Sequence, residues 1–396
     1  LIAELCPDGV EYVSIGNVVN YEQPSKYIVK STDYSDEFSI PVLTAGQSFI
    51  LGYTNEIDNI YKASKENPVI IFDDFTGAFK WVDFPFKVKS SAIKMLTANS
   101  DIATLRYIYH VMGNIGYSSD EHKRLWISIY SAIKIPLPPL PVQQEIVRIL
   151  DNFTELTAEL TAELTARKKQ YEYYRDLLLT FGDDPTVKWM KIEEFAECLA
   201  GATPQTKKKE YWDNGTIPWM SSGEVNLGKI YNTEKKITQL GYDNCSTKMV
   251  PINTVVVALA GQGKTRGMVA ITKIPLCTNQ SLCSIVVSDK QVNSFYLYYY
   301  LKTQYQNLRL ISSGEGTRGG LTLKMIKNYK IPLPPLKEQE RIVAILDRFD
   351  ALCNDLTSGL PAEIEARKKQ YEYYRDKLLT FPARPKDVKE AKEVKT

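Results

Sequence analysis

The chain has 396 residues, of which 44% are hydrophobic and 24% charged, with a formal net charge of +2. This composition is typical of a soluble globular protein, and the length suggests two or three domains. Six cysteines without a CxxC pair, and only two histidines, argue against a zinc site and against a disulfide framework. Because no segment resembles a signal peptide or a membrane span, we expect a cytoplasmic protein.

Each half of the chain begins with short runs of β-branched or alternating residues, separated by Gly, Asn and Pro. We call this first part of each half, which precedes residue 135 or residue 331, its front. Examples are Pro68–Phe72 in the first half and Thr254–Leu259 and Ser284–Val287 in the second. An aromatic helix candidate closes each front, at Thr104–Met112 and at Ser294–Lys302. The pattern predicts two mixed α/β domains with curved sheets.

Helices are predicted behind each front. The segment IPLPPL occurs at Ile135–Leu140 and again at Ile331–Leu336, and a proline-rich approach suits a helix start. A heptad seam follows in both copies, and we expect the two long helices to pack antiparallel. The seam positions are Leu160, Leu164, Arg167, Tyr171, Tyr174, Leu178 and Phe181, and then Leu360, Ile364, Arg367, Tyr371, Tyr374, Leu378 and Phe381.

A tetrapeptide repeat, TAELTAEL at Thr157–Leu164, lies inside the first predicted helix. Each unit of four residues lengthens a helix by about 6 Å and rotates it by about 40°. The tract is therefore a natural ruler between the two fronts, although it could also be only a stable helix. The second helix should be interrupted at Gly359-Leu360-Pro361.

One segment of the sequence occurs twice. Ala166–Phe181 reads ARKKQYEYYRDLLLTF, and Ala366–Phe381 differs from it only by Lys377 in place of Leu177. Val10–Ile15 and Val187–Ile192 correspond at an offset of 177, which grows to 196 at IPLPPL and 200 at ARKKQ. The repeat predicts pseudo-twofold symmetry and two copies of one partner or two half-sites of one ligand. Two diverged structural duplicates remain the alternative for the fronts.

These motifs together resemble the specificity subunit of type I restriction–modification systems, in particular the subfamily with TAEL-type spacers. The resemblance rests on the two fronts, the IPLPPL…ILD-x-F segments, the two RKKQYEYYRD helices and the tetrapeptide tract, and it covers essentially the whole chain. It implies two target-recognition domains that read the halves of a split, asymmetric DNA site. It also implies helices that set the gap and dock two methyltransferase subunits, with two restriction subunits joining the assembly.

The same resemblance implies that all cofactors lie on the partners. S-adenosylmethionine would bind the methyltransferase subunits for adenine methylation, and ATP and magnesium would bind the restriction subunits. The implied division of this chain is 1–134 and 182–330 for the recognition domains, 135–181 and 331–382 for the helical spacers, and a charged, disordered tail at 383–396. The fold class is α+β.

Motifs of catalysis are weak in this chain. Ala258–Thr265, ALAGQGKT, resembles a phosphate-binding loop, but Ala258 replaces the first glycine and a strand rather than a helix follows. A hairpin tip is the better interpretation. Asp73-Asp74 lacks a well-placed third acidic residue, so an acidic pair at a strand end is the default. We therefore expect a non-catalytic chain, against the rival of a nuclease or single-chain methyltransferase.

Candidate contact residues follow from residue type and position. Turn-like segments with Arg, Lys, Gln and hydroxyl side chains suit DNA bases and phosphates. The DNA candidates are Thr44, Gln47, Lys80, Lys123, Arg124, Ser221, Gln262, Lys264, Thr265, Arg266, Thr317 and Arg318. The partner-binding candidates on the repeated helices are Arg167, Lys168, Tyr173, Arg175, Arg367, Lys368, Tyr373 and Arg375.

Each of these side chains could equally be an ordinary surface polar group. The run Lys207-Lys208-Lys209 could meet phosphate or be a solvated charge run. For the protein as a whole, the alternative to a DNA-reading subunit is a coiled-coil scaffold that does not read DNA sequence.

Overall fold

A computed structural model describes residues 1–46, 48–115, 124–182, 184–261, 265–312, 320–355 and 357–385. The chain divides into two compact units. Unit 1 contains Leu1–Thr161 and the chain from Glu363 onward, and unit 2 is Ala162–Ala362. The boundaries fall within helices, so each unit combines one front with helical segments from both spacers.

Unit 1 is built on three sheets, ordered β2-β8-β5-β6, β4-β3-β7 and β1-β9. All pairings in them are antiparallel except β3 with β7. The strands are β1 (Glu11–Ser14), β2 (Val19–Glu22), β3 (Ile40–Leu43), β4 (Ile50–Thr54), β5 (Val69–Asp73), β6 (Phe79–Val82), β7 (Lys87–Val88), β8 (Ile93–Ala98) and β9 (Lys134–Leu137). The helices are α1 (Ile2–Leu5), α2 (Ile15–Val18), α3 (Leu105–Asn114), α4 (Leu125–Ser128) and the first part of α5 (Leu140–Leu178).

Unit 2 repeats this plan with sheets β11-β18-β15-β16-β13, β14-β12-β17 and β10-β19. The strands are β10 (Lys188–Lys191), β11 (Ala196–Ala200), β12 (Ile217–Met220), β13 (Lys229–Ile230), β14 (Lys235–Ile237), β15 (Val255–Ala258), β16 (Val269–Thr272), β17 (Cys277–Thr278), β18 (Leu282–Val287) and β19 (Lys330–Leu333). The helices that follow β14 are α6 (Gln239–Asp243), α7 (Ser294–Thr303), α8 (Tyr305–Ser312), α9 (Leu323–Lys327), α10 (Leu336–Asn354) and α11 (Leu360–Leu378), of which α11 continues into unit 1.

The predicted mixed α/β architecture and its internal repeat are confirmed. The strands β1 and β10 start 177 residues apart, as do β3 and β12, which is the predicted register. The aromatic helices are also present, and each begins with a side-chain cap. The hydroxyl of Thr104 accepts a hydrogen bond from the Tyr107 N–H, and the amide oxygen of Asn293 accepts from Phe295 and Tyr296.

The central strands are continuous apolar runs because both faces of the main sheet are covered. In β5, Ile70 and Phe72 pack into the cluster that contains α3, while Val69 and Ile71 pack into a second cluster on the other face. The same alternation separates Val255 and Val257 from Val256 and Ala258 in β15. Burying each large apolar side chain stabilises the fold by about 1.5–3 kcal/mol, so these strands anchor the units.

The two spacers differ in continuity. The first is the single 39-residue helix α5, whereas the second is divided into α10 and α11, of 19 residues each. Between them, Asp355 Oδ1 accepts hydrogen bonds from the N–H and hydroxyl of Thr357. A Cβ on Gly359 would lie 2.5 Å from the Ala351 carbonyl oxygen, so this position needs glycine. The predicted interruption is thus confirmed, and Pro361 is tolerated in the first turn of α11.

The segment after α11 is held against the start of unit 1. The Val10 N–H donates to the Pro382 carbonyl at 2.9 Å, and the Arg384 N–H donates to the Val10 carbonyl at 3.1 Å. The Tyr12 hydroxyl donates to the Phe381 carbonyl at 2.8 Å. The first residues of the predicted disordered tail are therefore ordered, while 386–396 lie outside the described residues.

Among the helices in the described ranges, none is long and apolar enough to cross a membrane.

Candidate DNA-reading and partner-docking surfaces

The two copies of the repeated helical segment have the same side-chain arrangement. Arg167 donates from Nε to Glu163 at 2.7 Å and from Nη1 to Gln170 at 2.8 Å. The corresponding bonds of Arg367, to Glu363 and Gln370, measure 2.8 and 3.0 Å. The chain therefore presents one helical surface twice, in side-chain detail as well as in sequence.

The tyrosines of this surface divide into inward and outward sets. Tyr171 is buried, and burial raises the pKa of its hydroxyl to about 12. Tyr174 stacks on Phe349, with centroids 5.8 Å apart and planes at 27°. In unit 1, Tyr374 stacks on Phe153 at 5.4 Å and 20°. The predicted packing of these seam tyrosines against a neighbouring helix is confirmed.

The outward set contains the most exposed aromatic side chains of both helices. Tyr173 is 64% exposed and Tyr373 is 60% exposed. Lys168 and Lys368 are also exposed. Arg175 is different: its guanidinium lies 5.9 Å from the Tyr171 ring centroid and pairs with Asp176 at 2.7 Å, and Arg375 repeats this with Tyr371 and Asp376. The arginines therefore cover the seam, whereas the outward tyrosines and lysines remain open to a partner.

The described DNA candidates of unit 1 lie in three settings. Thr44 follows β3, and its hydroxyl oxygen accepts from the Gly46 N–H at 3.3 Å. Arg124 is exposed at the start of α4. Lys80 lies inside β6, paired with Ile71, so its predicted place on a turn is wrong. Two aromatic residues and a valine surround it in FKWV, and the strand signal outweighs the single charge.

In unit 2 the hydroxyl of Ser221 is already engaged. It donates to Glu224 Oε2 at 2.9 Å, and the same carboxylate oxygen accepts from the Ser221 N–H at 2.7 Å. Thr265 and Arg266 are half-buried in the connection between β15 and β16. Six further candidates lie outside the described residues: Gln47, Lys123, Gln262, Lys264, Thr317 and Arg318.

The segment that resembles a phosphate-binding loop connects two strands. The strands β15 and β16 pair antiparallel, with Val255 opposite Ile271 and Val257 opposite Val269. The predicted hairpin is thus confirmed. A phosphate-binding loop needs the free N–H groups of a following helix, and a strand that uses its N–H groups in the sheet supplies none.

The acidic pair Asp73-Asp74 has a structural role. Lys94 and Asp74 are both buried and form an ion pair at 3.1 Å. Asp74 Oδ1 also accepts from the Trp126 N–H at 2.8 Å, and its carbonyl accepts from Leu125 at 2.7 Å. Asp74, held by Lys94, thereby fixes the start of α4, next to Arg124. Sequence reasoning missed Lys94 because a lysine in a strand gives no signal that it is buried.

An acidic residue of each spacer joins the aromatic helix of its unit. Asp151 accepts from Arg106 Nε at 2.8 Å and lies 2.7 Å from His110 Nε2. Burial would raise the pKa of Asp151, but the bonds from these two partners outweigh it and hold the pKa below its usual range. At the corresponding place in unit 2, Asp347 accepts from the Tyr299 hydroxyl at 2.6 Å. Both aspartates belong to the ILD segments, whose repetition was the available sequence signal.

No cluster of three or more His, Cys, Asp or Glu side chains suited to a metal ion occurs among the residues that the structure describes. The described residues nevertheless leave two kinds of open surface, the repeated outward helix faces and the loops of the fronts.

Comparison with known proteins assigns these features. The chain matches the family described as type I restriction modification DNA specificity domain at residues 7–167 and again at 186–366. The chain belongs to this family. The double match coincides with the internal repeat, so each copy of the family domain contains one front and a helical segment.

Among the relatives of this specificity subunit is that of the type I restriction enzyme EcoR124I/EcoR124II of Escherichia coli. The two are 46% identical over 385 residues, which cover 94% of this chain and 95% of the relative. The fold is also that of solved specificity subunits. The type I S subunit from M. genitalium matches with a TM-score of 0.61 at 13% identity, covering 94% of this chain and 96% of that one.

A second solved structure, described as showing complex assembly and conformational transition of a type I restriction–modification system, contains a chain with a TM-score of 0.54 at 18% identity. It covers 94% of this chain and 98% of that chain. The protein is thus a DNA sequence-specificity subunit of a type I restriction–modification complex, and such subunits are not themselves catalytic.

Proposed function

We propose that the two units read the two halves of a bipartite, asymmetric site in double-stranded DNA. A common framework with different loops supports this. The hydroxyl and carboxylate pair Ser221–Glu224 follows β12, whereas at the corresponding place after β3 Thr44 bonds to its own turn. Because base edges are read by individual side chains, different loops on one framework would read different half-sites.

In this proposal, 1–134 and 182–330 are the target-recognition domains. The segments 135–181 and 331–382 are the helical spacers, which set the length of the gap between half-sites, as in the subfamily with TAEL-type spacers. The continuous α5 supports the role of a ruler, since a helix without a break transmits its length and rotation to both ends.

The observation that carries the proposed assembly with two partner subunits is the doubled helical surface. Two copies with the same bonds at Arg167 and Arg367, and the same exposed Tyr173 and Tyr373, suit two identical partners. We assign these partners as two methyltransferase subunits, with two restriction subunits joining the complex. The candidate contacts are Arg167, Lys168, Tyr173, Arg175, Arg367, Lys368, Tyr373 and Arg375.

The cofactors of the reaction belong to the partners in this proposal. S-adenosylmethionine would serve the methyltransferase subunits, which methylate adenine, and ATP and magnesium would serve the restriction subunits. This chain would determine which DNA site the complex acts on. It would act in the cytoplasm, where the DNA is. Gln47, Lys123, Gln262, Lys264, Thr317 and Arg318 stay predicted DNA contacts, together with Thr44, Lys80, Arg124, Ser221, Thr265 and Arg266.

The test is genome-wide mapping of adenine methylation in cells that express the methyltransferase partner with and without this chain. We expect a split motif that depends on the chain. A chimera with residues 182–330 taken from another specificity subunit should change one half of the motif and leave the other half and the gap unaltered. If a well-expressed complex gives no motif that depends on the chain, the proposed DNA reading is wrong and a scaffold role is favoured.

A further inference from the structure

Two tryptophans fix a surface loop of unit 2. Trp212 and Trp219 meet edge to face, with ring centroids 5.1 Å apart at 90°. The indole N–H of Trp219 donates to the Ala202 carbonyl at 3.0 Å, and that of Trp212 donates to the Gln205 carbonyl at 3.2 Å. Both indoles thus use their single donor on one loop, which lies beside them.

The same loop is anchored from its other side. The Ala202 N–H donates to the Thr278 carbonyl at 2.9 Å, and a Cβ on Gly201 would lie only 2.0 Å from that carbonyl oxygen. The hydroxyl of Thr203 donates to Gln280. A loop held by two indoles, by β17 and by a side chain is ordered before any ligand arrives, which lowers the entropy lost on binding.

A groove of about 450 Å³ opens between this loop and β14. Thr203, Thr206, both tryptophans, Lys235 and Lys236 line it, together with the single acidic residue Glu234. In the antiparallel pairing of β12 with β14, Trp219 lies opposite Lys235. The aromatic floor and the cationic wall of the groove therefore belong to paired strands.

Further cationic side chains lie on the segment that follows the loop, which is bonded to the residue after β14: the Thr238 hydroxyl donates to the Glu210 carbonyl at 2.8 Å. The loop runs directly into Lys207-Lys208-Lys209, all exposed. Lys208 lies over the Tyr211 ring and donates to its hydroxyl at 3.0 Å. Among the described residues, Lys207, Lys209, Lys235 and Lys236 form no ion pair within 4.0 Å. These four lysines, none of them in an ion pair, outnumber the groove carboxylate Glu234 and form an anion-attracting surface, in contrast to Lys94, which is paired with Asp74 in unit 1.

We propose that this lysine surface, formed by Lys207, Lys209, Lys235 and Lys236 beside the tryptophan-fixed loop, binds the phosphate backbone of the half-site read by unit 2. The inference rests on the proposed function and adds a specific contact surface to it. Lysine donates and cannot accept, and its flexible stem makes it a point charge rather than a base reader. The surface should therefore add affinity for any duplex and leave the choice of bases to other residues.

The experiment compares assembled complexes of the chain with its methyltransferase partner. Binding to a duplex with the mapped site, and to a scrambled duplex of the same length, is measured by fluorescence anisotropy from 50 to 200 mM KCl. Lys235→Gln/Lys236→Gln and Lys207→Gln/Lys209→Gln should each weaken binding to both duplexes by a similar factor. Each should also reduce the magnitude of the negative slope of log K against log salt by about 0.9 per phosphate contact removed. The methylated motif should not change.

Two matched variants complete the design. Lys188→Gln/Lys290→Gln removes the same charge from exposed lysines of unit 2 outside the groove, and should leave the slope unaltered. Lys235→Arg/Lys236→Arg keeps the charge and should bind as the unaltered chain does. If the groove variants match the Lys188/Lys290 control, the inference is overturned, and the lysines only protect the edge strand β14 from pairing with other chains. If the unaltered complex does not discriminate the mapped duplex from the scrambled one, the proposed function fails instead.

Discussion

The side-chain oxygen of Gln143 accepts a hydrogen bond from the backbone N–H of Thr104 at 2.9 Å. The amide nitrogen of the same glutamine donates to the carbonyls of Ile102 and Pro138, at 2.9 and 2.8 Å. Gln339 repeats the arrangement with Asn293, Gln291 and Pro334. One buried glutamine thus ties the start of each spacer to the aromatic helix of its unit.

Replacing Gln143 with leucine should destabilise unit 1 by about 2–4 kcal/mol, because three backbone groups lose the partner that this fully buried side chain provides. The bond to the Pro138 carbonyl is itself buried, so water does not replace it there. Urea unfolding followed by near-ultraviolet circular dichroism measures the change. Gln144→Leu, on the exposed neighbour, is the control and should lie within about 0.5 kcal/mol of the unaltered chain. Equal stability of the two variants would contradict this role.

Asp151 should make the stability of unit 1 sensitive to acid. Its pKa is lowered in the folded state, so its ionised form contributes stability above the pKa of the unfolded state, about 3.9, and this contribution is lost as the pH falls through the folded value. Asp151→Asn should therefore lower stability near neutral pH by about 1 kcal/mol, a modest effect because the side chain is 35% exposed.

The pH profile separates this effect from a general loss of packing. As the pH falls below about 4, towards the lowered pKa of Asp151 in the folded state, the stability of Asp151→Asn should fall less steeply than that of the unaltered chain, so the two curves converge. Thermal unfolding at half-unit steps of pH measures both curves. Asp36→Asn, which removes an exposed carboxylate, serves as the reference. Parallel curves for the Asp151 variant and the unaltered chain would show that the ion pair is not the source.

Local patterns in the sequence predict much of the fold. The hairpin of β15 and β16, the two aromatic helices α3 and α7, and the interruption before Leu360 follow from signals within about ten residues. The repeat added the correspondence between the fronts, because equal offsets align strands whose individual signals are short. Lys80 does not follow from such local signals: its charge predicts a turn, but the aromatic residues on either side of it in FKWV form a strand.

Partners from distant parts of the sequence could not be predicted. Tyr12 bonds to Phe381, and His110 lies 3.4 Å from the Tyr371 hydroxyl, so the end of the second spacer belongs to unit 1. No periodicity of either segment indicates this, because each contact depends on the tertiary arrangement. The tryptophan-fixed groove is similar: Thr203, Trp219 and Lys235 lie far apart in sequence, and the bond from the Trp219 indole to the loop and the pairing of β12 with β14 bring their segments to one groove.

The outward tyrosines provide a test of partner docking. Tyr173→Glu should reduce the number of methyltransferase subunits per chain from two to one, and Tyr173→Glu/Tyr373→Glu should abolish their binding, because a buried charge would replace an aromatic contact. Both tyrosines are more than half exposed, so the fold should persist. Native mass spectrometry of the co-purified complex counts the subunits.

The control is Tyr231→Glu, since Tyr231 is 67% exposed and lies outside the spacers. It should retain both methyltransferase subunits. Two bound subunits on the double variant would show that the repeated surface is not the docking site, whereas loss of binding in the Tyr231 variant would indicate a general effect of the added charge.

The length of α5 provides the final prediction. Inserting one further Thr-Ala-Glu-Leu unit after Leu164 lengthens the helix by about 6 Å, and successive bases lie about 3.4 Å apart along a strand. The gap of the methylated motif should therefore change by one or two base pairs, with both half-sites unaltered. Methylation mapping of cells that carry the variant gives the gap directly.

The second spacer supplies the matched control. It has four more residues than the first between IPLPPL and ARKKQ, yet α10 and α11 together contain 38 helical residues against 39 in α5, so the turn that begins at Asp355 absorbs the difference. Four residues inserted between Thr357 and Ser358 enter this turn and lengthen no helix, so the gap should stay the same. If the insertion in α5 also leaves the gap unchanged, the TAEL tract is only a stable helix, and the gap is set by other parts of the complex.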